Sequence, residues 1–358
     1  MLVYIFNFVL IVFWGNLLKD KRISTIVILF QMFLILALGD ISLGVDSPTY
    51  SAGYEYIAQL SFGDMLSRLN VVSLAELKYP YAFESGYVFL NWVASHLGLG
   101  FKGFLVVISA FMMFSVGRFV IKYAEKPWLS LLLYVSLGFF TYDFGILRQA
   151  IALHILLFSF PAITERKFKK FLCYVVLAYF IHRTAVIFIP VYFFVNKRFT
   201  KNTIAVTFFG DIALAAVMPL LLKFIIFPIF AFMGKGSYEK SAVFSINNLI
   251  ILMFAIMVLL FVFVDLKQCQ SDVWRIILWA FAFSVFVEIA GCYVEVIGRI
   301  IQYYYICVIL LIPKVLYNYK ERNTKIIVSF LLVFLLLGFY MHSLSESTLV
   351  PYKVFFKA

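Results

Sequence analysis

The chain has 358 residues, of which 64% are hydrophobic and only 13% are charged, whereas a soluble globular protein is about 25% charged. Its mean hydropathy is +1.01, and long apolar runs recur from end to end. This composition excludes a soluble domain, and the absence of short alternating segments excludes a β-barrel. The net charge of +12 favours basic cytoplasmic loops over nucleic-acid binding. The four cysteines form no CxxC pair and the four histidines are scattered, so we expect neither a metal site nor another cofactor.

The apolar runs predict an all-α fold, a polytopic transmembrane helix bundle with about 10–12 membrane helices, some of them short or broken. Basic residues separate many of these runs, and such residues mark cytoplasmic loops. They place five loops in the cytoplasm: 19–22, 122–126, 166–170, 197–201 and 314–325. We treat residues 1–358 as a single integral membrane domain.

Three segments depart from simple spans. Residues 44–87 form the longest polar stretch and are predicted to be an external, largely helical loop region. Residues 86–97 are too short and too mixed to cross, so this segment is expected to lie at the surface or to re-enter. Residues 171–196 hold two apolar runs, each short of the roughly 20 residues that a span needs. They predict a broken or re-entrant helical hairpin with His182 at its outer tip.

Charged side chains beside apolar runs are costly in a bilayer and are therefore candidates for a functional site. In the predicted topology the candidates share the external side, where they would line a cationic cavity suited to an anionic substrate. They are Asp46, Glu84, Arg148, His182, Arg183, Glu295 and Arg299.

Arg148 and Arg299 each open a helix that runs inward. Arginine suits bidentate phosphate contact, and a helix N-terminus also favours anions. Gln149 adjoins Arg148, and Tyr303 lies four residues after Arg299 on the same helical face. Two structural alternatives stay open: Arg148 snorkelling to lipid headgroups, and an ion pair between Glu295 and Arg299.

His182 exchanges a proton near neutral pH, which suits a general base or a phosphate-binding donor. The alternative is a hydrogen-bonded histidine at a loop tip. Carboxylates with aromatic rings suit sugar binding, and Asp46 with Tyr50 and Glu84 with Tyr87 provide such pairs. For single aromatics, an interfacial belt is the competing interpretation.

Taken together, these motifs resemble those of the EpsG family of Wzy-like polysaccharide repeat-unit polymerases. The resemblance runs from about residue 40 to residue 305 and consists of five motifs in order. They are Asp46…Tyr50, Glu84-x-Gly-Tyr87 with Leu90-Asn91, Arg148-Gln149-x-Ile151-Ala152, His182-x-Thr184-Ala185, and Arg299 with Tyr303.

The resemblance implies a GT-C-like, metal-independent glycosyltransferase in the bacterial plasma (inner) membrane, with its active site facing the periplasm or exterior. The donor would be a glycan on undecaprenyl diphosphate, and the acceptor another lipid-linked repeat unit of an O-antigen, capsule or exopolysaccharide. A chain-length-regulating co-polymerase and a flippase are the implied protein partners.

The charges suggest roles for the candidates. Arg148 and Arg299 would hold the diphosphate and stabilise the leaving group, while His182 or Glu84 would deprotonate or orient the acceptor hydroxyl. The lipid-linked sugar would be positioned by Asp46, Tyr50, Tyr87, Gln149, Arg183, Glu295 and Tyr303. Three alternatives remain: an O-antigen ligase, a lipid-linked oligosaccharide flippase or transporter, and a membrane acyltransferase. A one-sided site argues against the second, and the external position of His182 against the third.

Overall fold

The structure is a computed structural model that describes residues 1–68, 83–232, 244–245, 248–264, 266, 271–317, 321–345 and 347–355. Within these residues the backbone is helical almost throughout, and the extended pairing is a single antiparallel bridge between Gly39 and Val354. The predicted all-α polytopic class is confirmed. Residues 234–241, which the alternation of the apolar runs predicts to be an external loop, lie outside the described residues.

The chain forms two compact units, one of residues 1–186 and 312–358 and the other of residues 187–311. The helices of the first are α1 Leu2–Leu17, α2 Lys21–Leu38, α3 Ser47–Ala58, α4 Phe62–Arg68, α5 Ser85–His96, α6 Phe101–Tyr123, α7 Pro127–Ser136, α8 Phe139–Gly145, α9 Leu147–Leu157, α10 Phe160–Thr164 and α11 Phe168–Ile181. A 3-10 helix, Arg183–Phe188, leads into the second unit. There follow α12 Pro190–Phe194, α13 Lys201–Leu221, α14 Phe227–Phe232, α15 Asn248–Phe263, α16 Asp272–Gly291, α17 Glu295–Ile300 and α18 Gln302–Tyr305. Helix α19, Val308–Tyr317, returns to the first unit, which α20, Arg322–Ser345, completes.

Five helices among the described residues are long and apolar enough to cross a membrane, and a sixth span arises if the segments 297–305 and 308–316, bent by 46°, count as one. Shorter apolar helices, among them α1, α7 and α9, add to the bundle. The chain is therefore a multi-pass membrane protein.

One end of the first unit gathers basic residues from distant loops, and we call it the lysine end. Lys21 Nζ donates to the carbonyl of Glu125 at 3.1 Å, and Lys314 Nζ pairs with the carboxylate of the same residue at 2.9 Å. Lys122 and Lys170 act electrostatically on Glu165. Four of the loops that their basic residues predict to be cytoplasmic therefore lie together.

The opposite end of this unit is closed by the C-terminal segment, and we call it the tail end. The amide of Asp40 donates to the Lys353 carbonyl at 2.9 Å, and that of Phe355 to the Leu38 carbonyl at 3.0 Å. The Tyr4 hydroxyl donates to the Leu349 carbonyl at 3.2 Å. Helices α2 and α20 thus run from the lysine end to the tail end.

Helix α5 begins and ends near the tail end. Its N-terminal neighbour Glu84 bonds to His182, just after α11, while Lys102, beyond its C-terminus, donates to the Gly39 carbonyl. A helix of 12 residues whose two ends lie on one side does not cross. The prediction that residues 86–97 stay at one side agrees with this placement.

In the second unit, α13 and α16 run side by side. Trp279 Nε1 donates to the Lys197 carbonyl at 3.0 Å, and the Tyr293 hydroxyl to the Ala215 carbonyl at 3.1 Å. Helix α15 runs back beside them, since Nζ of Lys201 lies over the ring of Phe261, 5.5 Å from its centroid. The basic loop at 197–201 thus lies at the end where α15 finishes.

Gly86 allows α5 to approach the last turn of α11. A Cβ at this position would lie 2.7 Å from the Phe180 carbonyl oxygen, which is backbone and cannot rotate away. We expect Gly86→Ala to lower the free energy of unfolding by about 1–3 kcal/mol, as overpacking does, and to move Glu84 away from His182. The thermal midpoint of the purified protein checks this. Gly100→Ala is the control, because nothing lies within 4 Å of a Cβ there; an equal, small effect at both positions would contradict the prediction.

Candidate functional site

Glu84 is the centre of a cluster built from three distant segments. One carboxylate oxygen pairs with Nη1 of Arg148. The other accepts from the Arg183 amide at 3.3 Å and lies 2.9 Å from Nδ1 of His182. The Glu84 side chain is 11% exposed, and those of Arg148 and His182 are 22% and 23% exposed. The cluster is thus sheltered, yet the side chains of Arg148 and His182 remain reachable from outside.

The surroundings of Glu84 keep it ionised. Burial alone would raise the pKa of its carboxyl, but the hydrogen bond to His182 and the charges of Arg148 and His182 outweigh burial and lower that pKa to about 2. An ionised carboxylate only accepts hydrogen bonds. Nδ1 of His182 is therefore the donor toward Glu84, which leaves Nε2 as the ring nitrogen with a lone pair when the imidazole is neutral.

Aromatic rings wall the guanidinium of Arg148. Its central carbon lies 5.0 Å from the ring centroid of Phe83 and 5.8 Å from that of Tyr50, within the range of a cation–π contact. Tyr87 packs edge-on against both rings. Burial raises the pKa of Tyr50 and of Tyr87, so both phenols stay neutral and keep their hydroxyl protons.

A sharp corner of the backbone positions Arg148. Helix α8 ends at Gly145 and α9 begins at Leu147, so Arg148 lies in the first turn of α9. Gly44 packs on this corner with φ +101, and a Cβ there would lie 2.6 Å from the Gly145 Cα. Only glycine fits such a left-handed, close approach. The loop before α3 is thereby held against the helix that carries Arg148.

His182 lies at a break between helices. Helix α11 ends at Ile181, and His182 is extended, with φ −153 and ψ 116, before the 3-10 helix begins at Arg183. The extended backbone turns the His182 side chain away from α11, so that its ring contacts Glu84. Broken helices at membrane depth are tolerated where protein or water forms hydrogen bonds with the freed backbone groups. Here the Glu84 carboxylate accepts a hydrogen bond from the Arg183 amide.

A second polar cluster lies inside the first unit, next to the corner at Gly145. The Tyr134 hydroxyl donates to Asp143 at 2.6 Å, and Nε2 of His154 lies 3.1 Å from that hydroxyl and 3.3 Å from Asp143. The side chains of His154 and Asp143 are 0% and 1% exposed. His154 is thus a packed, hydrogen-bonded residue of the core. The cluster ties α7, α8 and α9 together.

The other predicted site residues fall into two groups. In the first unit, Asp46 precedes α3 and acts electrostatically on Tyr50, Gln149 is buried beside Arg148, and Arg183 is half-buried. Arg299 and the fully buried Tyr303 belong to the second unit. Glu295, the first residue of α17, belongs to the same unit. Arg299 lies in the last turn of α17, so the prediction that it opens a helix is wrong. The part that these residues play in the site remains a prediction.

Two features of this region were not predicted from the sequence. Phe83 contacts Arg148, and the available signal was an aromatic residue directly before a candidate acid. The link from Asp143 to Tyr134 and His154 was also missed. Its signal was three polar residues within neighbouring apolar runs, but nothing in their spacing showed that they meet.

Tyr134→Phe removes one hydroxyl from the buried cluster and leaves Asp143 short of a donor. A buried acceptor that loses its partner costs about 1–3 kcal/mol. We therefore expect Tyr134→Phe to lower the free energy of unfolding by about that amount, and the thermal midpoint to fall with it. Tyr174→Phe, on a half-buried ring of α11, is the matched control. Equal midpoints for the wild type and Tyr134→Phe would show that this hydrogen bond does not stabilise the fold.

The lowered pKa of Glu84 predicts how stability depends on pH. Because the folded pKa is about 2 and the ordinary value is 4.5, the stabilisation is complete above the ordinary value and is lost as pH falls through the folded one. The difference in thermal midpoint between wild type and Glu84→Gln should be constant down to about pH 5 and shrink below it. Glu55→Gln, at an exposed position, should show no such trend. A difference that stays level to pH 3 or below would count against the ion pair.

Comparison with known proteins agrees with the resemblance seen in the motifs. No protein of curated function and no solved structure is detectably similar to this chain. The sequence profile of the EpsG family, however, matches residues 21–354, which include Glu84, Arg148 and His182, most of the first compact unit and all of the second. This membership and the polytopic helical fold fit a polysaccharide polymerase in general. The chain is a member of the EpsG family.

Proposed function

We propose that this protein is a glycosyltransferase that polymerises undecaprenyl-diphosphate-linked oligosaccharide repeat units into a bacterial surface polysaccharide. The reaction takes place on the external face of the plasma membrane. The observation that carries the proposal is the cluster of Glu84, Arg148 and His182, a part-exposed cationic site at a helix break in a membrane protein of the EpsG family.

The position of the cluster supports the external face. Residues 39–46 connect the tail end to the corner that precedes Arg148, whereas the basic loops gather at the lysine end. Positive loops mark the cytoplasmic side. A site at the other end therefore meets the leaflet in which completed lipid-linked repeat units are polymerised.

In this proposal His182 is the general base and Glu84 holds it in place. A carboxylate with a pKa of about 2 is a poor proton acceptor near neutral pH. Bonded to Glu84 through Nδ1, the imidazole presents Nε2 to the acceptor sugar. Nε2 takes the hydroxyl proton as the oxygen attacks the anomeric carbon of the donor.

Arg148 stabilises the departing group. The bond between the anomeric carbon and the phosphate oxygen breaks, and its electron pair leaves with undecaprenyl diphosphate. A guanidinium carries five N–H donors in a planar fork, so one nitrogen can stay on Glu84 while the fork also contacts a phosphate. Arg299 is proposed to assist from α17. Such preorganised positive charge lowers the barrier where negative charge develops.

The aromatic wall suits the sugar and the acidic residues suit its hydroxyl groups. Tyr50 and Tyr87 keep their phenolic protons and lie beside Arg148, and Asp46 lies at the start of α3. These groups, with Gln149, Arg183, Glu295 and Tyr303, are proposed to orient lipid-linked glycans. A co-polymerase that sets chain length and a flippase that supplies the substrate would be functional partners.

The surface-glycan profile of a deletion strain tests the proposal. Complementation with wild type should restore a ladder of repeat units. Arg148→Ala and His182→Ala should leave at most single units, a loss of about 100-fold or more in polymer, as for lost electrostatic and acid–base catalysis. Membrane levels by blot, and Lys169→Gln as a control at the exposed, opposite end, exclude an effect of expression.

Other outcomes separate the alternatives. A ladder of wild-type length from well-expressed Arg148→Ala would refute the proposed site. Loss of all attached glycan on deletion, single units included, would indicate a ligase. Accumulation of lipid-linked repeat units in the inner leaflet would indicate a flippase, whereas a polymerase leaves them in the outer leaflet.

A further inference from the structure

Lys126 is a half-buried cation in an unfavourable electrostatic setting. It directly precedes α7 at the lysine end, where its side chain is partly covered. Burial lowers the pKa of its ammonium group, and the like charges of Lys325 and Lys21 lower it further. Among the described residues, no carboxylate acts on it to offset these effects.

The nearest acid is already engaged. Glu125 binds Lys314 through its carboxylate, at 2.9 Å, and Lys21 through its carbonyl, at 3.1 Å. Lysines of α2 and α19 thus bind the glutamate next to Lys126, and Lys325 of α20 is close enough to act on Lys126. Lys126, Lys314 and Lys325 are each partly buried, so water screens their repulsion less than at an open surface.

A fold that brings these helix ends together would be more stable with an anion between them. The helix ends that meet here come from long apolar helices such as α2 and α20, so the cluster lies at the depth of lipid headgroups. Basic pockets between membrane helices on the cytoplasmic side bind the phosphates of anionic lipids. Ammonium groups act there as point charges toward phosphate oxygens.

We propose that Lys126, with Lys21, Lys314 and Lys325, forms a binding site for a phosphate group at the lysine end, filled in the membrane by the headgroup of an anionic phospholipid. This site lies at the opposite end of the first unit from Glu84 and does not depend on the proposed function.

Binding of phosphatidylglycerol to the purified full-length chain tests the site. Thermal midpoints are measured in detergent with increasing phosphatidylglycerol, with phosphatidylcholine and with inorganic phosphate. Phosphatidylglycerol should raise the midpoint of the wild type, and its apparent affinity should be about fivefold weaker in Lys126→Gln, the loss of one lysine contact at a membrane surface. Lys126→Arg should retain the charge and most of the affinity, and Lys169→Gln, exposed at the same end, should bind like the wild type.

The sign of the effect without lipid distinguishes a binding site from a structural lysine. Because Lys126→Gln removes a repelled charge, its lipid-free midpoint should equal or exceed that of the wild type. A rise in the wild-type midpoint with phosphatidylglycerol alone identifies a lipid headgroup as the ligand. An equal rise with inorganic phosphate identifies a free phosphate, and either result supports the site. Wild-type affinity in Lys126→Gln, or an equal gain with phosphatidylcholine, would overturn it.

Discussion

The candidate site depends on one largely buried carboxylate, that of Glu84. Burying Glu84 is costly by itself, and it is stable only because Arg148, His182 and the Arg183 amide all meet it. Removing one partner of such a pair leaves an uncompensated charge, which costs more than the pair contributes. The same interaction joins the N-terminus of α5, the first turn of α9 and the break after α11. The chemistry of the site and the packing of three helices therefore rest on the same few hydrogen bonds.

The polar cluster of Tyr134, Asp143 and His154 supports this arrangement from below. It lies within short helices whose residues are almost all buried, where an unsatisfied polar group would be costly. By joining α7 to α8 and α9 across the corner at Gly145, it restrains the helix whose first turn carries Arg148. The two histidines differ in exposure: His182 is part-exposed and is proposed to act on a substrate, whereas the side chain of His154 has no exposed surface and serves the packing of the fold.

Charge is divided between the two ends of the first unit. The lysine end holds an excess of cations around Glu125, while at the tail end the cations of the site are balanced by Glu84 and walled by aromatic rings. This division fits a protein held in one orientation by its basic loops, with the proposed catalytic face at the opposite end. It also separates two kinds of phosphate contact, a transient one proposed at Arg148 and a lasting one proposed at Lys126.

The amino-acid sequence by itself determined the all-α membrane class, the approximate spans and the grouping of the basic loops, because hydropathy and positive charge act locally and can be counted along the chain. The order of the motifs also indicated the family. Only the tertiary structure decided that Glu84 binds both Arg148 and His182, that Phe83 covers the guanidinium, and that Asp143 meets Tyr134 and His154. Those contacts join residues that lie far apart in the chain or on separate short helices. Their distances depend on how helices pack at single positions such as Gly44 and Gly86, where the absence of a side chain lets two backbones touch, and no local pattern of residues encodes that approach.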